Sequence, residues 1–451
     1  MKSLYFIGAG GIGMANLERY FLHEGYRVAG YDRTPSDLTH ALESEGVEIF
    51  YDEAVNLIPS YCLDPGETLV VYTPAVPASH AALNYFRENG FRVIKRAELL
   101  GDITRTSKAL CFSGTHGKTT TSSMAAHILN CSPIGCNAFL GGILRNCNSN
   151  LILSATSPYS VIEADEFDRS FHHLSPFMAV VTATDPDHLD IYGTEDAYLE
   201  GFAHFTSLIH SGGVLIAHTG MKLQPRVKEG VTIYHYSRNE GDFHAENVRK
   251  GNGTITFDFV APDCVVKDVQ LGVPVDINIE NAVAAMAVCH LAGVSADVMR
   301  QAMASFMGAK RRFEFWLKPE KGTVMIDDYA HHPDELRASI QSVKDLYPER
   351  KLTVIFQPHL YSRTRDFAPQ FAEALSLADE VILLDIYPAR ELPLPGITSE
   401  IIFNAITCKE KTLCSKNDLL GLIKSSNFGV LLTMGAGDIS EMLADICNAV
   451  R

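Results

Sequence analysis

Short apolar runs alternate along the chain with longer stretches whose apolar positions recur at helical spacing. That alternation is the signature of layered α/β structure. Ser3–Ile7 reads as a strand that ends in the glycine-rich stretch I-G-A-G-G-I-G-M at 7–14. Ile12–His23 follows with a helical pattern, and Tyr26–Tyr31 reads as a second strand ending at Asp32. Further strands are expected in T-L-V-V-Y-T-P-A at 68–75 and R-V-I-K at 92–95. The polar stretch Arg105–Lys108 then precedes a new apolar run, Ala109–Ser113, and marks a boundary. That run leads into a second glycine loop, F-S-G-T-H-G-K-T-T-T at 112–121, and a helix to about Leu129. Two more apolar runs end in polar clusters, Y-S-V-I-E-A-D-E at 159–166 and F-M-A-V-V-T-A-T-D-P-D-H at 177–188. Residues 231–275 read as short strands with Gly and Asn turns, and helices resume at 279–292 and 296–307. After R-R-F-E at 311–314 the α/β alternation restarts with T-V-M-I-D-D-Y, L-T-V-I-F-Q-P-H, E-V-I-L-L-D-I-Y and G-V-L-L-T-M-G. Three α/β domains are expected, at 1–106, 107–314 and 315–451, with no internal repeat.

Length agrees with this division, because 451 residues exceed one ordinary core. A net charge of −16 argues against a protein that coats nucleic acid or an anionic membrane surface. An anionic ligand must therefore be held by local N–H groups, Lys, Arg or a metal. No apolar run reaches bilayer length, and M-K-S-L-Y-F-I-G enters a strand directly, so a cytoplasmic protein is expected. The ten cysteines, without a C-x-x-C pair, read as buried free thiols of a reducing compartment. A monomer and a homodimer both remain open.

The candidate chemistry sits at the strand ends. Gly8, Gly10 and Gly13 fit G-x-G-x-x-G between a strand and a helix, where backbone can approach a diphosphate at a helix N-terminus. Asp32 stands near the spacing of a ribose-binding acid. A dinucleotide and a nucleotide-sugar satisfy this pattern equally. Gly114–Thr121 is more specific: it is a shortened P-loop, with Phe112 where the first Walker glycine would stand. Lys118 suits the β- and γ-phosphates, and the Thr119 hydroxyl suits magnesium. Glu163, Asp165, Glu166 and Asp168 cluster at one strand end, and Asp185, Asp187, His188 and Asp190 at the next. In a parallel sheet these ends share one edge, so the acids could hold magnesium against phosphates. D-D-Y-A-H-H-P at 327–333 and Q-P-H-L-Y-S-R-T-R at 357–365 could clamp a carboxylate or phosphate.

Read in order, G-x-G-G-x-G-M, G-T-H-G-K-T-T-T, E-A-D-E, D-x-D-H-L-D, N-x-x-N-A-V-A-A, R-R-F-E, D-D-Y-A-H-H-P and F-Q-P-H-x-Y-S-R-T span nearly the whole chain. Together they resemble the Mur ligases of peptidoglycan synthesis, and among them the branch that adds L-alanine. The resemblance implies a Rossmann-like first domain, a central P-loop ATPase-type domain and a Rossmann-like third domain. It also implies that Gly8, Gly10, Gly11 and Gly13, with Asp32 and Thr73, bind UDP-N-acetylmuramate. Gly114, Thr115, His116, Gly117, Lys118, Thr119 and Thr120 would bind ATP, joined by Asn281, Arg312 and Asp328. Thr119, Glu163 and His188 would surround Mg2+, and Lys118, Glu163 and His188 would serve catalysis. Tyr329, His331, His359 and Arg363 would lie near the amino acid. The implied reaction phosphorylates the sugar's lactyl carboxylate with ATP, and the amine of L-alanine then displaces phosphate.

Three departures from the family pattern qualify this. Ile277 stands where many members have the histidine of H-N-x-x-N, and Leu360 where many have the arginine of P-H-R-Y. No lysine occurs between His188 and Met221, so the carbamoylated lysine of the later peptide-adding ligases is excluded from that segment. Three rival readings stay open: an NAD-dependent oxidoreductase on the first loop, a nucleotide-binding regulator without catalysis, and a ligase that reattaches recycled tripeptide to the same sugar.

Overall fold

A computed structural model describes every residue except Met1, Pro74, Asp187, His188, Asn252, Glu320 and Arg390, together with the side chains of Leu189 and Asp190. The chain folds into two compact units. The first comprises Met1–Glu246, Phe259–Lys267 and Glu280–Met303; the second comprises Asn247–Asp258, Asp268–Ile279 and Ala304–Arg451.

The first unit holds two sheets. Strands β1 (Ser3–Ile7), β2 (Arg27–Tyr31), β3 (Glu48–Phe50), β4 (Thr68–Tyr72) and β5 (Arg92–Lys95) pair in parallel in the order β3-β2-β1-β4-β5. The strand order reverses between β1 and β4, and the first glycine loop leaves β1 there. Strands β6 (Lys108–Ser113), β7 (Asn137–Leu144), β8 (Ser149–Ile152), β9 (Tyr159–Glu163), β10 (Met178–Val181), β11 (Val214–His218) and β12 (Thr232–Tyr236) form the second sheet. Their order is β12-β11-β10-β6-β9-β7-β8, parallel except for the β7–β8 pair. After the exposed Lys108, β6 is buried throughout, as expected of a central strand covered on both faces. Helix Lys118–Asn130 is likewise buried from Thr121 to Leu129. Its small polar residues let it sink into the unit with no wet face.

The helix Ile12–His23 docks on the second sheet. Asn16 Nδ2 donates to Leu140 O at 3.0 Å and Asn150 Nδ2 donates to Ile12 O at 3.0 Å. The rings of Tyr20 and Phe139 lie 5.4 Å apart. One buried apolar cluster, with Leu4, Leu17, Ile162 and Phe202 among its members, runs through both sheets. The two glycine loops are therefore fixed to a common core.

Three further strands, β13 (His244–Gly251), β14 (Thr254–Val260) and β15 (Val265–Gln270), form a small sheet in that order. The second unit carries β16 (Glu314–Leu317), β17 (Val324–Asp328), β18 (Leu352–Phe356), β19 (Glu380–Leu384), β20 (Glu410–Cys414) and β21 (Val430–Met434). Their order is β16-β17-β21-β18-β19-β20, with only β16 antiparallel to its neighbour. The expected α/β class with parallel sheets is what is observed. All ten cysteines are free, but the expectation that they are buried fails for Cys131 and Cys147, which are exposed, and holds only in part for the half-buried Cys264 and Cys408. Among the described residues no helix is long and apolar enough to cross a membrane.

Candidate functional site

The first glycine loop is shaped by β1's neighbours. Gly8 adopts φ +92°, and its N–H and that of Ala9 donate to Tyr31 O. A Cβ at Gly8 would stand 2.5 Å from Thr73 Cγ2, so glycine is required where the loop passes the end of β4. This puts Thr73 beside the loop. Asp32 braces the loop itself, accepting from Gly10 N–H at 2.6 Å and from Thr34 N–H at 3.2 Å. Helix Ile12–His23 begins at Gly11 with no side-chain cap, leaving its N-terminal N–H groups open to an anion.

A cavity of about 360 Å³ opens from this N-terminus. Gly11, Gly13, Thr73 and Arg96 line one part of it, and Gly141, Glu163 and Asp165 another. It thus joins the first loop to the acidic end of β9.

The second loop turns on Gly114 (φ +138°) and Gly117 (φ +82°). A Cβ at Gly114 would collide with Thr182 Oγ1, and one at Gly117 would stand 2.7 Å from Asn281 Oδ1. Asn281 also accepts from the Thr121 hydroxyl at 3.2 Å, so it abuts the loop. Thr115 binds Asp185 O at 2.7 Å and Tyr198 Oη at 3.0 Å, and Thr182 Oγ1 donates to His116 O. These bonds lace the P-loop to the end of β10. Lys118 and Thr119 open an uncapped helix with Thr120, while His116 is exposed.

Lys118, Glu163 and Glu166 each have partners in this cradle. Lys118 Nζ donates to Gly114 O at 2.7 Å and to Glu166 Oε1 at 2.8 Å. Thr119 Oγ1 donates to Glu163 Oε1 at 2.8 Å, and Gly141 N–H donates to Glu163 Oε2 at 2.9 Å. Burial pushes both carboxyls, Glu163 and Glu166, above the usual range despite Lys118. A hydroxyl and a buried carboxylate side by side at a P-loop are hard oxygen donors, the set that magnesium takes. A cation there would also relieve the burial of Glu163. His188 and Asp187 fall outside the described residues.

In the second unit, Arg311 and Phe313 hold positive φ without being glycine. Arg311 donates from Nε to Asp327 Oδ2 at 3.2 Å and from Nη2 to Gly435 O at 2.6 Å. Burial raises the Asp327 carboxyl to about 6, opposed by Arg311 and Thr433. Asp328 accepts from the Ser339 hydroxyl and feels the charge of Arg312, whose guanidinium lies 5.8 Å from the Tyr329 ring. Tyr329 and His331 rings are 5.3 Å apart, His331 and His359 6.3 Å, and His359 stacks on Tyr387 at 5.8 Å. Arg363 is close enough to lower the basicity of both histidines, behind the larger effect of burial. Tyr329, His331, His359 and Arg363 therefore form one cluster. Within it His359 Nδ1 and Arg363 Nη1 are buried and lack hydrogen-bond partners among the described residues. Arg365 is mostly exposed and engaged with Asp366 at 2.7 Å, so it offers Arg363 no help.

Comparison with known proteins decides the family. Residues 3–108 match the catalytic domain of the Mur ligase family, residues 112–289 the Mur ligase middle domain, and residues 311–437 the Mur ligase glutamate ligase domain. The UDP-N-acetylmuramate–L-alanine ligase of Phocaeicola vulgatus is 57% identical, covering 100% of this chain and 98% of its own. That of Parabacteroides distasonis is 58% identical over the same shares. The chain belongs to the Mur ligase family. The crystal structure of the Thermotoga maritima UDP-N-acetylmuramate–alanine ligase superposes with a TM-score of 0.81 at 27% identity, covering 99% of this chain and 98% of that one. A murein peptide ligase from Psychrobacter arcticus shares the fold, with a TM-score of 0.63 at 23% identity.

Mur ligases are ATP-dependent, which accounts for a P-loop beside a second glycine loop. Against the family pattern, Ile277 is 58% exposed at the start of its helix, an apolar surface where other Mur ligases often place a histidine. Leu360 caps helix Tyr361–Leu375 at φ +71°, a conformation L-residues rarely adopt. Two Mur ligase site neighbours did not stand out in the sequence. Glu166 was one of four acids with nothing to single it out. Arg96 follows a weak strand far along the chain from the loop it faces.

Proposed function

We propose that this Mur ligase joins L-alanine to the lactyl carboxylate of UDP-N-acetylmuramate at the expense of ATP, through an acyl phosphate. The observation that carries the reading is the cavity from the first glycine loop to Glu163, which is itself hydrogen-bonded to Thr119 of the P-loop. A sugar nucleotide with its diphosphate at Gly11–Gly13 would extend its carboxylate toward the place where a γ-phosphate meets the P-loop.

Each residue then has a task. Gly8, Gly10, Gly11 and Gly13 let backbone approach the diphosphate, Asp32 keeps the loop in shape and Thr73 walls it. Gly114, Thr115, His116, Gly117 and Thr120 form the cradle for the triphosphate, with Asn281 behind Gly117. Lys118 exchanges Glu166 for phosphate oxygens and offsets the repulsion between two anions that must meet. Thr119 and Glu163, with His188, are the residues that would hold Mg2+, which supplies further charge stabilisation at the transferred phosphoryl group. Arg312 and Asp328 would contact ATP. Arg363 would pair with the alanine carboxylate, and the neutral imidazoles of His331 and His359 and the phenol of Tyr329 would shape the pocket around it.

The tripeptide-recycling alternative is not favoured, because the full-length relatives at 57–58% identity are named as L-alanine ligases. An oxidoreductase leaves the P-loop and the Thr119–Glu163 pair without a use. The reaction would run in the cytoplasm, where ATP and nucleotide-sugars are kept. Phosphate release with ATP, UDP-N-acetylmuramate and one amino acid at a time tests the proposal. L-alanine should give the highest kcat/KM; release only with a peptide acceptor would overturn it.

A further inference from the structure

The cavity at the first glycine loop contains one cation, Arg96, and two acids, Glu163 and Asp165. Arg96 opens the helix Arg96–Arg105 directly after β5, and among the described residues its guanidinium makes no hydrogen bond or ion pair. Its neighbour Lys95 lies 3.6 Å from Asp168 and is turned to a different acid. The guanidinium of Arg96 lies over the first turn of helix Ile12–His23: a Cβ added at Gly13 would stand 2.7 Å from Nη1. The third glycine of the motif therefore leaves room for an arginine as well as for a ligand.

We infer that Arg96 is a binding residue for the diphosphate of the nucleotide-sugar, clamping it against the open N-terminus at Gly11–Gly13. The inference rests on the function proposed above and adds to it the side chain that supplies the charge. Backbone N–H groups at a helix end carry only partial charge. A doubly charged diphosphate entering a cavity with two carboxylates needs a full cation, and a planar guanidinium offers it paired donors. The placement also orients the substrate. The cation stands at the glycine loop, so the phosphates are drawn there and kept away from the Glu163 end, where the carboxylate must react.

The test compares Arg96→Met and Arg96→Lys with the wild-type full chain. Binding of UDP-N-acetylmuramate and UDP is measured by calorimetry, and that of uridine by ligand-observed NMR. In Arg96→Met the dissociation constants of UDP and the UDP-sugar should rise on the order of ten- to a hundredfold, while uridine changes less than about twofold. Arg96→Lys should fall between, because a point charge replaces a fork. In turnover the loss should fall on the KM for the sugar nucleotide more than on kcat. Unchanged UDP binding in Arg96→Met would overturn the inference. So would uridine weakening in step with UDP, which would make Arg96 a support of the fold. Loss confined to the UDP-sugar, with UDP unaffected, would move Arg96 to the lactyl carboxylate and also overturn it. If the wild-type chain binds UDP but not the UDP-sugar, the proposed function fails, and the UDP arm still decides on Arg96.

Discussion

The P-loop of the first unit and the histidine–arginine cluster of the second handle charge in opposite ways. Around the P-loop the charges are paired with one another: Lys118 with Glu166, and Glu163 with Thr119 and Gly141. In the second unit, His359 Nδ1 and Arg363 Nη1 are buried without a hydrogen bond among the described residues. A paired site binds by exchange, so a phosphate or cation gains only the difference between its own contacts and those it displaces. A cluster with buried, unpaired donors gains more, because a ligand carboxylate relieves a standing desolvation cost. The first arrangement suits a ligand that must be released after each cycle as a changed species. The second suits recognition of a small amino acid with few atoms to hold.

The largest effect should follow from removing the cation of the paired site. Lys118→Ala should lower ligation by at least on the order of 10²–10³, the scale of losing a main electrostatic stabiliser. UDP-sugar binding should stay within about twofold, since the proposed function places its phosphates on the other helix. Turnover above about a tenth of wild type, a barrier change under roughly 1.4 kcal/mol, would show that Lys118 is not at the reacting phosphate.

Next comes the other half of the same site. Glu163→Gln keeps the side chain's shape and an oxygen for Gly141 N–H but removes the charge. Half-saturating Mg2+ should rise by about 10–100-fold, with folding midpoint little changed. A Mg2+ requirement equal to that of wild type would remove Glu163 from the metal set.

How much of this was legible in the sequence follows from range. The glycine loops, Lys118 and Thr119 were readable because strand, loop and helix are contiguous, and local backbone geometry dictates the residue types. The acids at 163–168 and the residues at 327–333 and 357–365 were visible as strand-end clusters. Their partners were not. Glu163 owes its second bond to Gly141 on β7, and Arg96 meets Gly13 only because β5 and β1 flank β4 in one sheet. Asp32, a ligand acid by its spacing, also accepts from Gly10 N–H, a bond the spacing did not foretell. The spacing reports where a carboxylate stands, and the loop's unpaired N–H decides what it bonds.

The unpaired site gives the third effect. Arg363→Met keeps the stem's packing and removes the fork. The KM for L-alanine should rise about ten- to a hundredfold, from roughly 1.5–3 kcal/mol of charged hydrogen bonding. The KM values for ATP and the sugar should move little, and L-alaninamide should lose its disadvantage against L-alanine. An equal rise for all three substrates would mean a general defect and not a lost carboxylate contact.

The smallest effect concerns Leu360, where many Mur ligases carry arginine. Leu360→Arg leaves the backbone strain as it is, because leucine and arginine are both unbranched at Cβ and meet φ +71° on equal terms. In the wild-type background the KM for L-alanine should fall by less than about threefold, since Arg363 already offers a bidentate pair and a second cation at a helix N-terminus is mildly disfavoured. In the Arg363→Met background the same change should recover on the order of three- to tenfold of the lost affinity, because there the carboxylate has no other full charge to meet. The contrast between the two backgrounds is what matters. Equal gains in both would mean that position 360 acts by long-range charge alone. No gain in either would place the alanine carboxylate out of reach of position 360, and leave its recognition to Arg363 alone.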